Sequence, residues 1–396
     1  MGRMKKNVLF VINNLNCGGA EKALISLLET IDYSKYSVDL FLFKHEGLFF
    51  RKIPKQVNLL EEPYEYRYFD MPIKTAIMDC IKKGRMDIAL ARLCAGYIFK
   101  SEQNGVRCEQ MIWRYISKSL RGIEKNYDVA IGYLEKNPVY FCVDKVKAKK
   151  KIGFIHNDYD ELGMDPKIDT RYFDKLDNIV TVSRECANVL TERFPMYKRK
   201  IKIMHNIVSS NMINKMSLEG VDMKDKGIKI VSVGRLNYQK GFEMAIEACK
   251  KLEGDGYKIT WYVVGEGEER ANLEKMIEEN DLEEKFILLG IKENPYPYIR
   301  EANIYVQPSR FEGKSIAIDE AKILHKPIVI TNFSTAKDQI KNKENGIIVE
   351  MDPHAISEGI KKLIDNEELR IKLISNLSKE HLGTESEIEK LYTLFG

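Results

Sequence analysis

The stretch Ser309-Arg310-Phe311-Glu312-Gly313-Lys314-Ser315-Ile316-Ala317-Ile318-Asp319-Glu320-Ala321-Lys322 decides how this chain is read. Before it stands the apolar run Ile304-Tyr305-Val306, which reads as a strand. Within and after it, Ile316, Ala317, Ala321, Ile323 and Leu324 form an apolar face at helical spacing. A small, polar loop between strand and helix leaves N–H groups unpaired at the helix start, which makes an anion site suited to phosphate. Two carboxylates bracket the turn, Glu312 ahead of it and Glu320 with seven residues between them. A carboxylate accepts two hydrogen bonds side by side, so it suits the vicinal hydroxyls of a ribose or a sugar ring. One loop therefore has the parts to hold a sugar, a diphosphate and a ribose in sequence, the anatomy of a nucleotide sugar.

The flanking segments repeat the strand–loop–helix pattern. A strand over residues 228–233 runs into Gly234-Arg235-Leu236-Asn237-Tyr238-Gln239-Lys240-Gly241. Arginine supplies a forked pair of donors and lysine a movable point charge, and both suit a diphosphate whose charge grows as it leaves. Residues 259–264 form another strand and lead into Gly265-Glu266-Gly267. This is no dinucleotide fingerprint, because the third glycine is missing and the acidic residues Glu266, Glu268 and Glu269 would repel a pyrophosphate. Near the start, Asn7-Val8-Leu9-Phe10-Val11-Ile12 is a continuous apolar run, the mark of a buried parallel strand. It ends at Gly18-Gly19, where backbone can approach a ligand with no Cβ in the way. Strands follow over 38–43, 128–133 and 151–155, and the last runs straight into His156-Asn157-Asp158. Open α/β sheets bind ligands at that carboxyl edge.

With 396 residues, 44% hydrophobic and 31% charged, the chain is expected to hold two soluble domains with full cores. No run of about 18 apolar residues is present to span a bilayer. The basic-then-apolar start breaks at Asn13-Asn14 without a small-residue cleavage site, so it reads as a first strand and not as a signal peptide. The seven cysteines are scattered without metal-binding spacing, which points to reduced thiols and a cytoplasmic setting. Residues 64–125 lose strand character and read as a helical insertion. Between Ile73 and Lys125 stand eleven Lys/Arg against five Asp/Glu, among them Lys82, Lys83, Arg85, Arg92, Arg114, Lys118 and Arg121. That excess exceeds the net charge of +4 for the whole chain. With no aromatic–basic motif, nucleic acid is not expected; an anionic membrane surface, met at the inner face of the plasma membrane, explains the excess better.

Glu-x7-Glu in the form FEGKSIAIDEAK, together with Gly-Arg-x4-Lys-Gly at 234–241, resembles the donor-binding signature of family 4 retaining glycosyltransferases. The resemblance implies the GT-B fold, two Rossmann-like α/β domains facing each other across a cleft, here with the helical insertion in the first. It implies an acceptor-binding domain over 1–208, a linker over 209–227 and a nucleotide-sugar-binding domain over 228–375. A final helix over 376–396 would cross back to the first domain. By the same resemblance, Glu312 and His156 meet the donor sugar and Glu320 the ribose diol. Arg235 and Lys240, with N–H groups around Ser315 and Ile316, clamp the diphosphate; Gly313 and Lys314 line the donor site, Lys314 either adding a cation near the sugar or facing solvent. Gly18, Gly19, Gly234 and Gly265 line the donor site, and the base pocket lies near Ile291. No cofactor or metal is implied, so Asp158-Tyr159-Asp160 is not expected to hold one. The partners implied are a nucleotide-sugar donor, with UDP the expected nucleotide, and a glycan or polyprenyl-diphosphate-linked saccharide acceptor of surface polysaccharide synthesis. The alternatives are a nucleotide-sugar epimerase, a phosphorylase or a non-catalytic nucleotide-sugar-binding protein. The chain departs from the family at Lys314-Ser315, where Phe-Gly is common, and at Ala317, where proline is frequent.

Overall fold

Parallel strands cannot be joined by hairpins, so each needs a crossover, and helices supply it here. The computed structural model describes residues 5–16, 18–221, 223 and 227–396. The first four residues of the basic start, Cys17, and Asp222, Lys224, Asp225 and Lys226 of the expected linker lie outside the described residues. The first sheet comprises β1 (Lys6–Ile12), β2 (Tyr36–Leu42), β3 (Asn58–Leu59), β4 (Ile123–Gly132), β5 (Val146–Ile155), β6 (Asn178–Thr181) and β7 (Ile201–Ile203). The second comprises β8 (Ile228–Val233), β9 (Ile259–Val264), β10 (Phe286–Leu288), β11 (Ile304–Gln307), β12 (Ile328–Thr331) and β13 (Ile347–Val349). Their orders are β3-β2-β1-β4-β5-β6-β7 and β10-β9-β8-β11-β12-β13, and every neighbouring pair is parallel. This is the two-sheet GT-B architecture.

The apolar runs become strands because both of their faces are covered. Val8, Phe10 and Ile12 of β1 pack with Leu24, Leu27 and Leu28 of the helix Gly19–Thr30, while Leu9 and Val11 pack on the other side with Phe41, Phe43 and Trp113. The first of these clusters continues into Tyr296, Ile316 and Ile318 of the second sheet's layer, so apolar contact joins the two halves. In each sheet the chain order reverses once, between β1 and β4 and between β8 and β11. Ligands of open α/β sheets lie outside the carboxyl ends at such reversals. The loops after β1, β4, β8 and β11 are thus the ones to inspect.

Between β3 and β4 the chain is helical, with Arg67–Asp70, Ile73–Lys82, Met86–Ser101 and Gly105–Ser119. Asn104 caps the last of these, its side chain accepting from the Val106 and Arg107 N–H groups. Gln110 of that helix donates to the buried Asp169 at 2.9 Å, and the Tyr140 and Tyr159 hydroxyls donate to the same carboxylate, tying the insertion to the first domain. Along Ile73–Lys82, Ala76 and Cys80 are buried fully while Ile73 and Ile81 are exposed. One expectation for this region changes. Arg92 is no surface cation: it is buried and donates to the Met71 carbonyl at 2.8 Å.

The polar stretch after residue 208, expected as linker, contains a short helix, Ser210–Met216. The tail is two helices and not one, Glu367–Lys379 and Ile388–Phe395. The second lies against the first sheet, where Tyr392 stacks on Tyr36 with centroids 4.9 Å apart and its hydroxyl accepts the Asp32 N–H at 2.7 Å. No helix among the described residues is long and apolar enough to cross a membrane.

Candidate active site between the two sheet edges

The loop after β11 closes around a buried carboxylate. Glu312 Oε1 accepts from the Ser309 hydroxyl (2.6 Å), Gln307 Nε2 (3.3 Å) and Lys240 Nζ (2.5 Å). Glu312 and Lys240, expected at different parts of a donor, are therefore bonded to each other. Arg310 stitches the same two loops together, its guanidinium 4.0 Å from the Tyr238 ring centroid and donating to the Tyr238 carbonyl at 2.8 Å. Lys314 neither reaches a free site nor faces solvent: it pairs with Asp319 at 2.8 Å, both side chains nearly buried. The Ser315 N–H is also engaged, donating to Gln339 Oε1 at 2.8 Å, while Gln339 Nε2 returns a bond to the Ser315 carbonyl at 2.8 Å. The first turn of Ile316–Ile323 is left with no side-chain cap.

The loop after β8 packs tightly beneath this one. Gly234 lies against Lys240, where a Cβ would come within 3.2 Å of the lysine methylenes, and Gly265 abuts the Gly234 carbonyl, where a Cβ would stand 1.8 Å away. Arg235, in contrast, is exposed, and its side chain makes no hydrogen bond among the described residues. Ile291 follows Gly290, whose carbonyl accepts the Gly265 N–H at 3.0 Å, and it too is exposed.

From the first domain, His156 meets this layer directly. A Cβ on Gly313 would stand 1.8 Å from the His156 carbonyl oxygen, so only glycine permits the approach. Glu135, in the loop after β4, accepts the His156 N–H at 3.1 Å and Asn157 Nδ2 at 3.3 Å, fixing the turn. The imidazole packs against both Tyr133 and Phe154, and neither ring nitrogen has a hydrogen-bond partner among the described residues although both are buried. Burial, only partly opposed by the Glu135 charge, pushes its pKa from 6.5 down to about 4. The ring is thus neutral at physiological pH and able to donate one hydrogen bond and accept another.

That shift has a consequence for stability. Between pH 6.5 and about 4 the unfolded chain takes up a proton on His156 that the folded chain refuses. The neutral ring's contribution is therefore complete above the upper value and lost as pH falls through the window. Relative to a His156→Phe variant, the wild type is expected to lose about 3 kcal/mol more between pH 7 and pH 4. Urea titrations of both proteins across that range check it, and parallel slopes would refute it.

The glycine loop after β1 completes the site. A Cβ on Gly18 would strike the Glu21 carboxylate, and one on Gly19 would stand 3.9 Å from Ile316 Cδ1 of the opposite domain. Glu21 is buried, which raises its carboxyl pKa against the opposing influence of Arg235 across the cleft. Its neighbour Lys22 forms an ion pair with Glu320, which also accepts from the Tyr296 hydroxyl at 3.3 Å. The acidic pair after His156 is split between two tasks. Asp158 accepts the Asp160 N–H (3.1 Å) and the Ser334 hydroxyl (2.9 Å), whereas Asp160 pairs with Arg193 at 2.9 Å.

The structure thus gathers Glu312, Lys240, Gly313 and His156 into one contact layer, with Glu320 beside it and Arg235 open at its edge. Lys22, Glu135 and Gln339 were not singled out from sequence. Glu135 had one available signal, its place just beyond the carboxyl end of a strand at the order reversal; the other two had none.

Residues 218–380, which span the second sheet, match the family model for glycosyl transferases group 1. That match lies in the C-terminal domain and covers less than half of the chain. Along nearly its whole length, this glycosyltransferase is 25% identical over 379 residues to a Campylobacter jejuni enzyme, covering 95% of this chain and 94% of the relative. That relative is N-acetylgalactosamine-N,N'-diacetylbacillosaminyl-diphospho-undecaprenol 4-alpha-N-acetylgalactosaminyltransferase. This chain is also 28% identical over 240 residues to the capsular polysaccharide biosynthesis glycosyltransferase CapM of Staphylococcus aureus, covering 55% of this chain and 62% of CapM. Among solved structures, Anabaena HepE in complex with UDP-glucose superposes with a TM-score of 0.69 at 13% identity, covering 98% of each chain. The fold is shared across that distance. The comparisons support a glycosyltransferase role over an epimerase, a phosphorylase or a non-catalytic binding protein.

Proposed function

We propose that this glycosyltransferase moves a sugar from a UDP-sugar to a lipid-linked saccharide, with retention at the anomeric carbon and without a metal. The observation that carries the proposal is the convergence of Arg235, Lys240, Glu312 and Glu320 on the cleft edge of the second sheet, opposite the uncharged His156 imidazole. Arg235 meets the diphosphate, and Lys240 lies close enough to serve both Glu312 and a phosphate oxygen. Their cationic groups do the work a metal ion would do, stabilising charge that develops as the leaving group departs, worth roughly 3 kcal/mol per well-placed donor. Glu312 and His156 hold hydroxyls of the transferred sugar, and Glu320 holds the ribose. In the step proposed, the bond from the anomeric carbon to the β-phosphate oxygen breaks. The acceptor hydroxyl oxygen bonds to that carbon from the same face, and its proton passes to the departing phosphate oxygen. The donor follows from the site's charges and from HepE's UDP-glucose complex, the acceptor from the undecaprenol-linked name of the Campylobacter relative.

A lipid-linked acceptor places the enzyme at a membrane, and the helical insertion offers the surface. Met86, Leu90, Leu93 and Tyr97 fall on one face of the helix Met86–Ser101, each half or more exposed, and Met78 and Ile81 are exposed on the helix before it. The cations are fewer than the charge count suggests. Lys83 pairs with Asp79 and Arg85 with Asp87, both at 2.9 Å, and Arg92 is buried. Attachment is therefore expected to be apolar insertion assisted by charge. The protein should float with anionic vesicles at low salt and remain largely bound at high salt, whereas Leu90→Asp with Leu93→Asp should release it. Complete release of the wild type by salt would make attachment ionic, and no flotation at all would favour a soluble acceptor.

A further inference from the structure

The ion pair between Lys22 and Glu320 joins the two domains at a residue assigned to the donor. Glu320 belongs to the helix Ile316–Ile323 of the second domain and is almost wholly buried. Lys22 belongs to the first turn of Gly19–Thr30 in the first domain, and its ammonium also lies 4.5 Å from the Tyr296 ring centroid. The Lys22 and Tyr296 contacts both fall on Glu320 Oε1. Among the described residues Oε2 has no hydrogen-bond partner, so it is the oxygen left for an incoming hydroxyl. Burying a carboxylate so deeply is costly without a compensating cation, and the ammonium that supplies it comes from the other domain.

We propose that Lys22 is a positioning residue for the donor's ribose: from across the cleft it balances the Glu320 charge and holds the carboxylate turned so that Oε2 receives the sugar diol. The inference rests on Glu320 as the ribose acceptor and adds what makes that acceptor competent. Ribose recognition then depends on the first domain being docked, because the second domain alone lacks the counter-charge.

The test compares binding of UDP or GDP, whichever the wild type holds, with binding of its 2′-deoxy and 3′-deoxy analogues. A hydroxyl bonded to an ionised acceptor should favour the ribonucleotide by about tenfold to a hundredfold. Glu320→Gln is expected to collapse that preference, Lys22→Met to collapse it equally, and Lys22→Arg to restore it. If Lys22→Met fails to fold, Lys22→Gln takes its place. A Lys22 variant that keeps the full preference, or weakens every nucleotide alike, overturns the positioning role while leaving Glu320 as the ribose acceptor. A preference absent from the wild type or untouched in Glu320→Gln overturns the Glu320 assignment and this inference with it.

Discussion

Replacing Arg235 with alanine is expected to lower turnover by two orders of magnitude or more and to leave the melting temperature unchanged. The side chain is exposed and makes no hydrogen bond among the described residues, so its loss breaks no contact that the fold uses. In the proposed mechanism, what disappears is a forked donor to the diphosphate, whose charge grows as it leaves. An interaction that strengthens in the transition state lowers kcat when removed, more than it raises KM. Single-turnover rates on the alanine variant, with thermal unfolding alongside, check both halves. A near-normal rate would remove Arg235 from the diphosphate, and a large drop in melting temperature would show a structural role hidden at the cleft edge.

Lys240→Ala should behave differently, although sequence treats the two cations as one clamp. Its ammonium is bonded to Glu312, and both side chains are mostly buried. Breaking a buried pair from one side strands the other charge, at a cost of about 3–5 kcal/mol. Turnover should fall at least as far as for Arg235→Ala, and the C-terminal domain should also unfold at lower denaturant. The double variant Lys240→Ala with Glu312→Gln removes the stranded charge, so it should regain much of the stability and none of the activity. Stability that stays low in the double variant would mean the loss comes from packing against Gly234 and not from charge.

The contrast shows which parts of the molecule were legible beforehand. Strands such as β1 and β9 declare themselves because a segment buried on both faces is apolar at nearly every buried position, and the loops after them follow. Glu312, Glu320, Arg235 and Lys240 could be found because each lies in a short strand–loop–helix pattern. Their mutual arrangement could not. Nothing local says that Lys240 bonds Glu312, that Gln339 takes the Ser315 N–H, or that Lys22 crosses the cleft to Glu320. These contacts join loops from separate strands or separate domains, and only the folded sheets bring them together. The insertion misled for a related reason. Helical spacing located its helices but not which side was covered, since an apolar face may meet a core or a lipid layer, and Ile73 and Ile81 are exposed. Charge counting likewise cannot tell a paired lysine from a free one, as Lys83 and Lys314 show.

The most direct measurement is product analysis with and without acceptor. The purified protein is incubated with a radiolabelled UDP-sugar, excess chelator, and a saccharide carried on a polyprenyl diphosphate. Label should pass to the lipid-linked saccharide only when both substrates are present, and NMR of the product should show the donor's anomeric configuration preserved. Turnover of donor without acceptor, an inverted linkage, or transfer that returns only when Mg²⁺ or Mn²⁺ is restored would each contradict it.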